Sequence, residues 1–169
     1  ISNNKNVKEE AHNLENNTQD LNLMIAFFNK KNKNLISDIG YGDTNNITNI
    51  ISIELLSCFI SENLYNNNFK DYPYIILKIL EIEDVLHLNG TPIGGFCYIM
   101  WEKSINNHFY SYINKDKIFG VYKTNKKFSL NKVSLQLFSP DGQGINADNL
   151  TIEKNDIFNL NLKISRRTI

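Results

Sequence analysis

Apolar and polar positions alternate along most of this chain with a period of two. That spacing sends successive side chains to opposite faces of a strand. The clearest run is the last one, where Phe158, Leu160, Leu162 and Ile164 alternate with Asn159, Asn161 and Lys163. This predicts a half-buried strand. The same reading predicts a strand over 21–28, with Leu21, Leu23, Ile25 and Phe27 on one face and Asn22, Met24 and Ala26 on the other. In 50–60, Ile51, Ile53 and Leu55 are expected to face the core, and Ser52, Glu54 and Leu56 to face away. In 74–83, Ile75, Leu77 and Ile79 form the buried face, and Glu81 and Glu83 close the strand. The run 96–102 is apolar on both sides, Cys97, Ile99 and Trp101 against Phe96, Tyr98 and Met100, as expected of a strand with the core on one face and a partner on the other. Shorter strands are expected at 108–113, 118–122 and 133–138.

Turn chemistry separates these runs. Gly40–Asn46, Asn66-Asn67-Asn68, Asn89-Gly90-Thr91-Pro92 and Asn106-Asn107 all interrupt the pattern. Asn114–Lys117 is expected to close a hairpin, and Ser139-Pro140-Asp141-Gly142 is a turn in which Pro presets φ and Gly takes a positive one. The count is about eight strands with no amphipathic helix of about ten residues or more. That disfavours parallel α/β architectures, which need crossover helices, and predicts an antiparallel β-sandwich or barrel. Residues 1–19 lack periodicity and are expected to form a flexible polar arm, with one domain over 20–169. Ile53, Leu77, Ile99, Trp101, Leu135, Leu160 and Leu162 are the predicted core.

Composition adds limits more than chemistry. Apolar residues make up 41% of 169 residues, enough for one packed core without disulfides or metals. Basic and acidic residues number 18 each, so no large field of one sign points to nucleic acid. The 28 asparagines, with many Ile and Lys and only three Pro, are what AT-rich codons supply. Cys58 and Cys97 match no metal spacing and read as small buried side chains. His12, His87 and His108 stand apart from one another, without metal-ligand spacing. Glu81, Glu83 and Asp84 form a small acidic cluster, in which Glu81 and Glu83 on one strand face could bind a cation or act as paired carboxylates, but a solvated strand end is the plainer reading. Asp141 lacks the repeated oxygen ligands of a calcium loop. Gly94-Gly95 does not open a helix as a phosphate loop would. Tyr110, Tyr112, Phe119 and Tyr122, interleaved with Lys115, Lys117 and Lys123, could stack on bases or sugars, although strand aromatics more often pack in cores. Asn16, Asn46 and Asn149 sit in glycosylation sequons, expected by chance in so Asn-rich a chain. No membrane span and no signal peptide are expected. No catalytic, cofactor or metal site is expected.

The order of these segments carries a resemblance. Ile51–Ser57, Tyr72–Glu81, Phe96–Met100, Leu130–Gly142 and Ile157–Ile164 resemble, in sequence order, strands of the jelly-roll capsid and capsid-associated proteins of large nucleocytoplasmic DNA viruses and their relatives. The piece from Leu130-Asn131-Lys132 to Ser139-Pro140-Asp141-Gly142 is the most specific. The resemblance implies a jelly-roll sandwich that acts as a minor capsid or penton-like structural protein. Its partners would be other copies of itself and other capsid proteins, its place the virion, assembled in the host cytoplasm. The rival expectation is a non-catalytic β-sandwich that binds carbohydrate or protein.

Overall fold

The computed structural model describes residues 17–27, 29–39, 46–83, 86–88, 91–92, 94–106 and 108–168. The expected polar arm lies outside these residues up to position 16, and its last two residues already belong to a strand. In chain order the strands begin with β1 (Thr18–Ala26), β2 (Asn29–Lys31), β3 (Asn34–Asp38) and β4 (Ile50–Ser61). A helix, α1 (Glu62–Asn68), follows, and then β5 (Ile75–Ile79), β6 (His87–Leu88), β7 (Thr91–Pro92), β8 (Cys97–Ile99) and β9 (Glu102–Lys103). Next come β10 (Phe109–Ile113), β11 (Val121–Lys123), β12 (Lys132–Phe138) and β13 (Gly144–Ile145). A single 3-10 turn, Ala147–Asn149, precedes β14 (Phe158–Arg167).

Two antiparallel sheets pack into an all-β sandwich. The first has the order β1-β14-β4-β10-β9, with β11 also beside β4. The second runs β2-β3-β12-β5-β8, with β13 on β12. β6 and β7 form a ladder of their own. The core lies between the two inner faces. The first sheet contributes Ile53, Leu55, Cys58, Ile60, Leu160 and Leu162, all fully buried, and the second contributes Leu35, Ile75, Leu77, Ile99, Val133 and Leu135. At one end four rings close the sandwich. Phe158 meets Phe27, Phe69 and Trp101 edge-on, with centroids 6.0, 6.5 and 6.4 Å away. Of the predicted core, Trp101 is the exception, half-buried where the chain leaves the second sheet after β8 to enter the first at β9.

Strict alternation holds in β14 and β1, as expected. It breaks in β4, where the buried residues are Ile50, Ile53, Leu55, Cys58 and Ile60. The expected inward position of Ile51 is therefore corrected. The register against β14 slips twice, since Arg166 faces Ile50 but Ser165 faces Ser52, and Leu162 faces Leu55 but Asn161 faces Ser57. Ile51 and Leu56 are thus the extra residues of two β-bulges, and each bulge shifts the buried face by one position. Three further departures concern connections. Asn32 and Lys33 both have positive φ, 51° and 67°, and close a two-residue hairpin between β2 and β3 that the alternation did not reveal. The chain after β4 turns helical for seven residues, with Leu64 buried beneath it.

The third departure corrects the expected hairpin at Asn114–Lys117. β10 and β11 do not pair with each other; both run along β4 in the same direction, at Ser57–Ser61 and Ser52–Glu54. Residues 114–120 are an excursion out of one interrupted strand. Asn114 holds its base, donating through Nδ2 to the carbonyls of Leu55 at 3.0 Å and Phe119 at 2.9 Å. Gly120 returns the chain at φ 73°. Elsewhere the expected turn stands: Ser139 Oγ donates to the Asp141 carboxylate, the Gln143 N–H donates to Asp141 at 3.3 Å, and Gly142 takes φ 83°.

Candidate interaction surfaces

The excursion after β10 builds a groove against the edge of the second sheet. Tyr74, Tyr98, Met100, Tyr112, Ile118 and Phe119 line it, with Asn114 and Asp116 as its polar members, around a volume of 410 Å³. Tyr98 meets Tyr74 and Phe119 edge-on, at 5.6 and 5.1 Å. Met100, Ile118 and Phe119 remain exposed, Ile118 to 75%. Burial holds the Tyr112 hydroxyl un-ionised far above its ordinary range, and the neighbouring Cys97 thiol adds to this. The expected aromatic platform is therefore divided. Tyr112 and Phe119 share this groove, while Tyr110 stacks on Tyr65 of α1 at 3.6 Å and Tyr122 packs on Phe128 at the other end of the molecule.

A second surface is the outer face of the first sheet. Bulging at Leu56 helps to put Leu56 and Phe59 of β4 outward, beside Phe109 and Ile113 of β10 and Ile157. These side chains border a shallow groove with Ser57, Ser104, Ser111 and Asn159 on its walls. The groove is apolar in the middle and lightly polar around it, without an ionised side chain in its lining.

The two ends are polar. Near the ring cluster, Glu62 at the start of α1 accepts from Lys103 of β9 at 2.9 Å and meets His108 Nδ1 at 3.0 Å. The Lys103 ammonium first, and His108 second, hold this carboxyl below its ordinary value. Beside it, Ser61 Oγ donates to Asp156 at 2.9 Å, and Asn63 donates to Glu153 at 2.8 Å. At the opposite end, Glu81 and Glu83 border a cleft of 770 Å³ against the loop carrying Lys123, Lys126 and Lys127.

The residues singled out in the sequence fall as follows. His108 joins the Glu62 cluster; His12 and Asp84 lie outside the described residues, and His87 is in the β6 ladder. Glu81 and Glu83 do not close a strand, because β5 ends at Ile79 and the chain turns there, with the Ile82 N–H donating to the Ile79 carbonyl. Glu81 turns inward and accepts from the Ser134 N–H, and burial raises its carboxyl above the ordinary value. Glu83 stays exposed. Cys58 and Cys97 are both fully buried thiols, and burial pushes the Cys58 thiol up. Asn46 and Asn149 are exposed, and Asn16 lies outside the described residues. Among the described residues no three His, Cys, Asp or Glu side chains converge as a metal site would require.

The chain matches no protein-family model and no curated protein sequence. No helix among the described residues is long and apolar enough to cross a membrane.

Proposed function

We propose that this chain is a non-catalytic structural module of a virus particle, a jelly-roll capsid or capsid-associated protein of the minor capsid or penton-like kind. Strand order carries the reading. Four consecutive neighbours of the first sheet are β1-β14-β4-β10, and four of the second are β3-β12-β5-β8. This order supports a jelly roll, since two nested Greek keys wound from one long antiparallel hairpin would produce it. Such a sandwich works by surface: rigid sheets carry loops to two ends, where neighbours meet around a cyclic axis. The uncharged apolar groove on the outer face of the first sheet and the near-neutral chain suit packing of many copies. Light scattering over a concentration series, with negative-stain imaging of any large fraction, tests the reading. Trimers, pentamers or shells are the expected outcome. A chain that stays small at every concentration, alone and with other capsid proteins, refutes it.

The aromatic groove favours a second reading, a sandwich that binds carbohydrate in solution or on a surface. Three tyrosines beside Asn114 and Asp116 offer ring surface and hydrogen-bonding groups together. Saturable binding to a glycan panel, lost in Phe119→Ala and Tyr98→Ala, would support it in place of assembly.

A further inference from the structure

We infer that the outer edge of β1 is a pairing strand, and that two copies of this chain join through it in an antiparallel β1–β1 ladder. Hydrogen-bond parity defines the edge. The Thr168 N–H donates to Asn17 O and the Phe27 N–H to Phe158 O, each at 2.9 Å, and the register between β1 and β14 is unbroken from Thr18 to Ala26. In an antiparallel ladder, bonded pairs alternate with non-bonded ones. The odd-numbered residues therefore bond to β14. The N–H and C=O groups of Asp20, Asn22, Met24 and Ala26 point the other way, along roughly 20 Å of edge.

Sheet edges are ordinarily blunted by shortness, lysine, proline, bulges or a cover. The other edges of this sandwich follow that rule. β2 is three residues long and carries Lys30 and Lys31; β8 is three residues long; β10 is covered by β9 and breaks off into the excursion at 114–120. From Asp20 to Ala26, and among the described residues, β1 has none of these devices. It is nine residues long, without bulge, proline or basic residue. Its one charge, Asp20, is already held by Ser165 Oγ at 2.6 Å and Lys163 at 3.6 Å.

Charge selects the occupant. An edge with one neutralised carboxylate accepts an uncharged strand, and β1 itself presents Asn22 and the 64%-exposed Met24 there. Centring the two-fold axis on Asn22 overlaps Asp20–Met24 of both copies and sets Asp20 opposite the partner's Met24. Centring it on Asp20 would oppose two carboxylates. The inference requires only self-association, so it stands apart from the capsid reading.

Sedimentation equilibrium of the full chain tests it with three variants. Asn22→Pro removes an N–H that makes no bond among the described residues, so the fold, read by circular dichroism and melting, should hold while the dimer is lost. Met24→Lys should tighten the dimer a few-fold by facing Asp20 of the second copy, and Met24→Glu should weaken it. A wild type that is monomeric at every concentration overturns the inference, as does a folded Asn22→Pro chain that dimerises equally well. Shells formed by the proline variant would remove this edge from assembly and leave the capsid reading intact. Edge-dependent dimers that never grow larger would do the reverse.

Discussion

Leu160→Ala tests the sandwich at its centre. Leu160 is fully buried in β14, the strand flanked by β1 on one side and β4 on the other. Its register partners are Ile25 and Cys58, themselves buried. Truncation removes the transfer free energy of the side chain and leaves a cavity, which together cost about 2–5 kcal/mol for Leu→Ala. Relaxation lowers that cost where the backbone can move. Here both edges of β14 are bonded along its length, so little collapse is available and a loss of about 4 kcal/mol is expected. In a chain of this size that corresponds to a fall of about 8–16 °C in melting temperature. Differential scanning calorimetry reads it, with Lys163→Ala as the control from the outer face of the same strand, expected within about 0.5 kcal/mol of wild type. A Leu160→Ala shift no larger than the control's would refute the placement of β14 between two strands with its even face in the core.

Gly120→Ala should destabilise by roughly 1–3 kcal/mol in urea unfolding, because φ is 73° and a Cβ would sit 2.9 Å from Asn114 Nδ2 and 3.2 Å from both Cys97 Sγ and Leu55 Cβ. Asn114→Leu, which leaves the buried Leu55 carbonyl without its side-chain donor, should cost about 1–3 kcal/mol and speed hydrogen exchange in 114–120 ahead of the rest of the chain. Two carboxylates should give pH slopes of opposite sign. Burial raises Glu81, so its contribution is most favourable below the ordinary glutamate pKa and is lost as pH rises through the folded value; Glu81→Gln should remove that loss. Lys103 and His108 lower Glu62, so its contribution is present above the ordinary value and lost as pH falls through the folded one; Glu62→Gln should flatten the acid limb of the stability curve.

The parts of the fold legible in sequence are those where one face stays in register. β14, β1 and β12 alternate or nearly so, and the Ser139–Gln143 turn carries its own chemistry in Pro, Asp and Gly. β4 hid its buried face because a bulge adds one residue without changing composition, so Ile50 and Ile51 cannot be told apart from the pattern alone. The hairpin at Asn32-Lys33 was masked by polar strands: β2 is exposed throughout and offers no alternation. The run 96–102 looked like one strand but serves two sheets, and the half-burial of Trp101 follows from that crossing. The groove was half-visible. Its aromatics were singled out, but their division between three places depends on the excursion at 114–120, which pairing to β4 creates and local sequence does not announce.

One consequence of the strand order concerns the time course of folding. β14 lies between β1 and β4 although both precede it by about a hundred residues or more. Until residues 158–167 leave the ribosome, the first sheet holds an open slot where this inner strand belongs, and two long rows of amides and carbonyls face an empty space. Loop closure over such separations is slow, so the last strand should lock in as a rate-limiting step on the millisecond-to-second scale typical of all-β domains. During that interval any extended segment, from the same polysome or a neighbouring chain, competes for the slot.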